Sequence, residues 1–210
     1  MKIIIPARAG SKGLPHKNRL LFNSTADTIP SSLKDQVWVL TDDSVVKQLA
    51  QERGFNIWHR HAEISGDTAS TWSLMDFFIQ NQGIDDDLVV LYLTYPERTW
   101  DQIESAIEIY KKKKLKSLLC KKKIEITPFL ILKEEEGNRG SQLFYHDLYR
   151  RQDYPTCFEL SHFICIFKSK SINKLNQNLY YRDTYYLDIS PDTIDVDTQK
   201  DLDRLNGDIR

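Results

Sequence analysis

Lys2-Ile3-Ile4-Ile5-Pro6-Ala7-Arg8-Ala9-Gly10-Ser11-Lys12-Gly13-Leu14-Pro15-His16-Lys17-Asn18 opens the chain and decides how the rest is read. Lys2–Ile5 is a β-branched run, which predicts a short strand stopped by Pro6. A loop follows at once. In an α/β sheet, the loop leaving the carboxyl end of a parallel strand is where ligands sit. Gly10 and Gly13 let the backbone approach a ligand and turn its N–H groups inward. Arg8, Lys12 and Lys17 add cations able to neutralise a triphosphate. The loop is not a P-loop, because GxxxxGK[ST] is absent. Taken alone, it reads equally well as a solvated basic turn.

Strand and helix signals alternate from there. Gln36–Leu40 predicts a second strand, and Asp42 a cap for a helix carrying Val45, Val46, Leu49 and Ala50, ended by Gly54. Asn56–Trp58 predicts a short strand. Asp67 or Ser70 opens a helix with Leu74, Met75, Phe78 and Ile79 on one face, stopped at Gly83. Leu88–Leu93 reads as a buried strand and Thr99–Tyr110 as an amphipathic helix. This rhythm implies βαβ units on a mostly parallel sheet. In the second half Leu118–Cys120, Phe129–Leu132 and Phe163–Phe167 read as strands, Glu134–Gly140 as a polar turn, and Asp197–Leu205 as a closing helix. Residues 124–149 read as a strand-rich excursion from the main sheet.

Composition narrows the class. The chain has 210 residues, 40% hydrophobic and 28% charged, enough for one domain over 1–210 with its own core. Lys+Arg (29) nearly balance Asp+Glu (30), which argues against nucleic acid as partner. Lys111–Lys114, Lys116 and Lys121–Lys123 are dense, but they lack interleaved aromatics. They fit a helix end and protection of an edge strand. No apolar run approaches the ~18 residues of a membrane span, and the start lacks a secretory leader's apolar stretch. Cys120, Cys157 and Cys165 show no CxxC spacing, so neither a disulfide framework nor a zinc site is expected, and a cytoplasmic location is. The five histidines form no metal-binding pattern, and no Ser-His-Asp order stands out.

The opening motif IIPARAGSKGLPHKN resembles that of the CMP-sugar synthetases, the cytidylyltransferases that activate acidic sugars, and the sialic-acid (nonulosonate) branch more than the Kdo branch. The likeness continues in order. Val37-Trp38-Val39-Leu40-Thr41-Asp42-Asp43 resembles the family's second strand and Thr-Asp turn. Arg60-His61-Ala62-Glu63 through Gly66-Asp67-Thr68-Ala69-Ser70 resembles Arg-Pro-Ala-Glu…Asp-Thr-Ala-Ser. Tyr92-Leu93-Thr94-Tyr95-Pro96-Glu97-Arg98 stands where the family has Gln-Pro-Thr-Ser-Pro-Leu-Arg. Arg150-Arg151-Gln152-Asp153-Tyr154-Pro155 is similar to Arg-Arg-Gln-Asp-Leu-Pro, and Ile194-Asp195-Val196-Asp197-Thr198 to the closing Ile-Asp-Ile-Asp-Thr.

The resemblance implies a Rossmann-like sheet of the nucleotide-diphospho-sugar transferase type, flanked by helices, with 124–149 as a dimerisation arm. It implies CTP and an acidic sugar as substrates, a homodimer, and no membrane partner. Arg8, Lys12 and Lys17 would be the catalytic cations. Ala7, Arg8, Gly10, Ser11, Asn18, Arg60 and Thr71 would hold the nucleotide, and Arg151 and Tyr92 the sugar. A guanidinium at Arg151 suits a 2-keto-acid carboxylate. Simpler roles stand beside these: Asn18 as a turn former, Arg60 as a surface partner of Glu63, Thr71 as a helix start. Asp195 and Asp197 alternate on an extended segment, so both face one way. They would hold Mg²⁺ with the substrate phosphates, or they would cap the last helix. No general base stands out.

The chain departs from the family pattern in places. Arg19–Asp35 is short, with Pro30 and several Ser/Thr, which predicts that the first helix is lost or cut down. Tyr92 replaces a Gln used on the sugar. Ser161-His162-Phe163-Ile164-Cys165 replaces Asn-Gly-Ala-Ile-Tyr. These changes gather near the acceptor, so two alternatives stand: a different acidic sugar such as Kdo, or a nucleotide-binding paralogue without turnover.

Overall fold

The structure is a computed structural model that describes residues 1–61, 64, 66, 70–124 and 126–207. Strand β1 (Lys2–Ala7) lies near the middle of a seven-stranded sheet of order β3-β2-β1-β4-β8-β5-β9. The others are β2 (Val37–Thr41), β3 (Asn56–His59), β4 (Asp87–Val90), β5 (Ser117–Lys123), β8 (Phe158–Lys168) and β9 (Tyr185–Asp188). Neighbours pair in parallel except β8, which runs antiparallel to both β4 and β5. The mostly parallel α/β sheet expected from the strand–helix rhythm is therefore present.

Alternation along β1 explains the layers. Ile3 and Ile5 face one core with Val37, Val39 and Val89, covered by helices α1 (Lys17–Ala26), α2 (Ser44–Glu52) and α4 (Trp100–Lys112). Ile4 faces the other core with Leu40, Leu88 and Val90, under α3 (Thr71–Gln82). A strand buried on both faces reads as a continuous apolar run, as β1 does. The short helix α5 (Gln199–Leu205) packs Leu202 and Leu205 on the first core.

Local signals placed the starts of α3 and α4. Ser70 caps α3 and Thr99 forms a capping box with Gln102. Several expectations need correction. β1 runs on through Pro6, which pairs with Leu40, because β4 pairs with β1 only as far as Ile4 and leaves the proline side open. The α2 cap is Asp43 rather than Asp42: its carboxylate accepts from the Val45 and Val46 amides. The first helix is not lost. α1 has ten residues, and Pro30 falls beyond its end. Pro128–Leu130 is a 3-10 turn, so the expected strand begins only at Leu132. Lys121 does not guard an edge, because β9 pairs with β5 from Leu118 to Lys121; Lys121 forms an ion pair with Asp188 and Lys122 with Glu159. Asp67, one candidate for opening α3, lies outside the described residues.

The excursion is a separate two-stranded ribbon, β6 (Leu132–Glu135) with β7 (Arg139–Gln142). Its turn uses Gly137 and Asn138, both with positive φ. Among the described residues no helix is long and apolar enough to cross a membrane.

Candidate active site

A cleft of about 160 Å³ opens over the carboxyl ends of β1 and β4. From β1 the chain moves to β2 on one side, and it later returns to β4 on the other. That reversal is the switch point where open α/β sheets bind ligands. Pro6, Arg8, Ser11, Lys17, Asn18, Arg60, Thr71, Tyr92, Leu93 and Thr94 line the cleft. Seven candidates drawn from four separate stretches of sequence thus converge. Ala7 is fully buried at the foot of the loop, so only its backbone can serve. Gly10 has φ 74° with open space around it, and Lys12 is exposed on the loop.

The loop is braced from both sides. Ala9 N donates to Asp42 Oδ1 at 2.7 Å, and Asn18 Nδ2 donates to Arg8 O at 2.7 Å. Asp42, displaced as a cap, is therefore a loop anchor, and Asn18 does serve the turn while its amide oxygen stays available. Lys17 is the first residue of α1, whose N-terminus favours negative charge nearby.

Arg60 is buried rather than at the surface, and Glu63, its expected partner, lies outside the described residues. Its Nη2 donates to Ile64 O, and Nε has no hydrogen-bond partner. Burial holds its pKa below the ordinary value; nearby Asp42 opposes that shift and like-charged Arg8 adds to it. Two guanidiniums repelling across a cleft, one with an orphaned buried donor, make a place for an anion.

Asp195 and Asp197 lie on the segment facing the loop, exposed on either side of fully buried Val196. Val196 N donates to Thr94 O at 2.8 Å and ties the segment to the end of β4. Lys17 Nζ sits 2.5 Å from Asp197 Oδ1. Gly13 packs so closely that a Cβ there would lie 2.5 Å from the Asp197 carbonyl oxygen. Neither aspartate caps α5. Thr198 does, in a capping box with Asp201. Two exposed carboxylates beside a cationic loop are hard oxygen donors of the kind that suit Mg²⁺. Among the described residues no group of three or more His, Cys, Asp or Glu gathers to make a fuller protein cage.

The departures from the family pattern pack against one another. The Tyr92 and His162 rings lie 5.1 Å apart, and Tyr95 meets Phe163 edge-on at 5.4 Å. Burial pushes the Tyr92 phenol pKa up and keeps it neutral, against a hydrogen bond from Thr71 that works the other way. Thr71 begins α3 and also lines the cleft. Arg98 is a buried strut missed as such in the sequence. It donates to Phe163 O, Tyr92 O and Thr25 Oγ1, and desolvation pushes its pKa down to about 10. Arg151 is not in this cleft. It lines a separate one of about 730 Å³ beside the ribbon, with Lys123, Thr127, Tyr149 and Tyr154. Cys120 and Cys165 are buried, with thiol pKa values raised by desolvation, which suits inert core positions.

A cation-lined cleft at the switch point of such a sheet defines a nucleotide-binding type of α/β fold. A sequence profile of the family described as Cytidylyltransferase matches residues 2–182, and the chain belongs to that family. An N-acylneuraminate cytidylyltransferase of Streptococcus agalactiae serotype V is 28% identical over 97% of this chain and 52% of its own length. The chain therefore spans about half the length of that relative. A CMP-N,N'-diacetyllegionaminic acid synthase of Legionella pneumophila is 28% identical over 94% of this chain and 91% of its own. Among solved structures, a CMP:2-keto-3-deoxy-manno-octonic acid synthetase complexed with CTP superposes with a TM-score of 0.67 at 17% identity. It covers 98% of this chain and 96% of that one, and it supports the fold.

Proposed function

We propose that the chain couples CTP to a 2-keto acid sugar of the nonulosonate class, releasing pyrophosphate and a CMP-sugar. One observation carries the reading: the cation loop rests directly on the paired-carboxylate segment, through Lys17–Asp197 and the Gly13 contact. The sugar's anomeric hydroxyl attacks the α-phosphate in line, and pyrophosphate leaves. Arg8, Lys12 and Lys17 offset the charge that builds on the leaving group. Arg60 and Asn18, both lining the cleft, would orient the nucleotide. Asp195 and Asp197 would hold Mg²⁺, which when bound supplies charge neutralisation to the triphosphate.

The acceptor side is built from Tyr92, backed by His162. This aromatic wall favours a second reading within the class, a different acidic sugar, and failing turnover, a nucleotide-binding paralogue. Arg151 can meet a sugar carboxylate only if a second copy completes the site. Leu130, Leu132, Phe144, Tyr145 and Tyr149 are exposed around the ribbon and support a homodimer through it.

Pyrophosphate release from CTP across a panel of acidic sugars tests the proposal, with sedimentation reporting the dimer. Turnover with a nonulosonate is the expected result. CTP binding without release on any sugar would assign the chain to the non-catalytic reading.

A further inference from the structure

Tyr95 stands at the meeting of three elements and is not among the candidate site residues. Its ring is buried against Phe163. Its hydroxyl donates to Asp195 Oδ2 at 2.8 Å and accepts from Ser161 Oγ at 3.2 Å. Ser161 Oγ in turn accepts from Phe163 N at 3.3 Å.

The direction of these bonds is forced. An amide N–H can only donate, so Ser161 Oγ accepts from Phe163 and turns its own proton to Tyr95. An ionised carboxylate can only accept, so the Tyr95 proton goes to Asp195. The strand itself supplies the free amides. β8 pairs with β5 at Leu118↔Ile166 and Cys120↔Ser161, so four residues of β8 oppose one of β5. That bulge releases His162 and Phe163 from the β5 ladder, and the Phe163 N–H turns to Ser161 Oγ. Asp195 is left with one oxygen held by the phenol and the other without a hydrogen-bond partner among the described residues.

We propose that Tyr95 is a positioning residue for Asp195. Its phenol, backed by Ser161, fixes the carboxylate rotamer and turns the second oxygen to the divalent cation. This rests on the cation assignment in the proposed function. Hydrogen bonds that orient a metal-binding carboxylate typically carry ~10–100-fold in metal affinity.

The test is calorimetric titration of Mn²⁺, as probe, into the full chain saturated with a non-reacting methylene analogue of CTP. Wild type is compared with Tyr95→Phe, Ser161→Ala and Asp195→Ala, with thermal melts in parallel. Tyr95→Phe keeps the ring on Phe163 and should weaken Mn²⁺ about tenfold. Ser161→Ala should move it the same way by less, and it decides the matter if Tyr95→Phe melts early. Wild-type Mn²⁺ affinity in both variants, with Asp195→Ala impaired, overturns the inference. Wild-type affinity in Asp195→Ala overturns the cation assignment itself and this inference with it.

Discussion

Replacing Gly13 by alanine tests whether the cation loop and the carboxylate segment must touch. The new Cβ would lie 2.5 Å from the Asp197 carbonyl oxygen and 3.5 Å from its carbon. Comfortable contacts of this kind begin near ~3.5 Å, so the two backbones must part by roughly 1 Å. Neither side yields easily, since Val196 N is bonded to Thr94 O and Ala9 N to Asp42. Overpacking against backbone costs ~1–3 kcal/mol. In a chain of this size that lowers Tm by roughly 2–12 °C, at ~2–4 °C for each kcal/mol. The larger effect is on rate, because the shift moves Lys17 relative to Asp195 and Asp197, and a 1 Å misplacement costs about 100-fold. Gly10→Ala is the control. Its φ of 74° costs ~1–2 kcal/mol of strain, but its Cβ meets nothing within 4 Å. Pyrophosphate release with the best acceptor, alongside differential scanning calorimetry, separates the two variants. Turnover in Gly13→Ala within about threefold of wild type would refute the claim that loop and segment work as one unit.

Other outcomes follow from the same geometry. If Lys12 holds a CTP phosphate as proposed, Lys12→Ala removes a charge-assisted contact worth ~1.5–3 kcal/mol, and CTP affinity by calorimetry should fall at least about tenfold. Asp197→Asn should melt within a few degrees of wild type, because Thr198 caps α5 and the Lys17 pair is largely solvent-exposed on the Asp197 side; its turnover should collapse. At Asp43, burial favours the neutral form, but the Arg19 hydrogen bond and the Val45 and Val46 amides outweigh it and lower the pKa from 3.8. A carboxylate depressed in the folded state stabilises above its unfolded pKa and loses that contribution as pH falls through the folded value. Asp43→Asn should therefore be less stable than wild type at pH 7, and the gap should narrow in urea titrations taken below about pH 4. A gap that stays constant across that range would mean the Arg19–Asp43 pair contributes nothing.

Chemistry that acts within a few residues was legible in the chain. The β1 run, the caps at Ser70 and Thr99, and the stop at Gly83 each depend on local backbone groups finding partners. The cleft candidates Arg8, Ser11, Lys17, Asn18, Arg60, Thr71 and Tyr92 were named from ordered motifs and do converge. Adjacent acids were harder to separate. Asp42 and Asp43 look alike in sequence, yet one holds the loop and the other the helix, because only Asp43 stands where two free amides end α2. The first helix was misjudged because serine and threonine late in Lys17–Ala26 weaken its propensity, while burial of Leu21, Phe22 and Ala26 overrides it.

By itself the sequence determined the α/β rhythm, the cation loop and the alternating carboxylates, since each rests on spacing along the chain. The tertiary structure alone decided which distant segments meet. It set β8 antiparallel between β4 and β5, added β9 at the edge, buried Arg98, and joined Tyr95 to Asp195 across 100 positions. It also set Arg151 beside the ribbon, away from the cleft. Such meetings carry no local signal, because they are selected by which register buries the most apolar surface while leaving every buried polar group a partner.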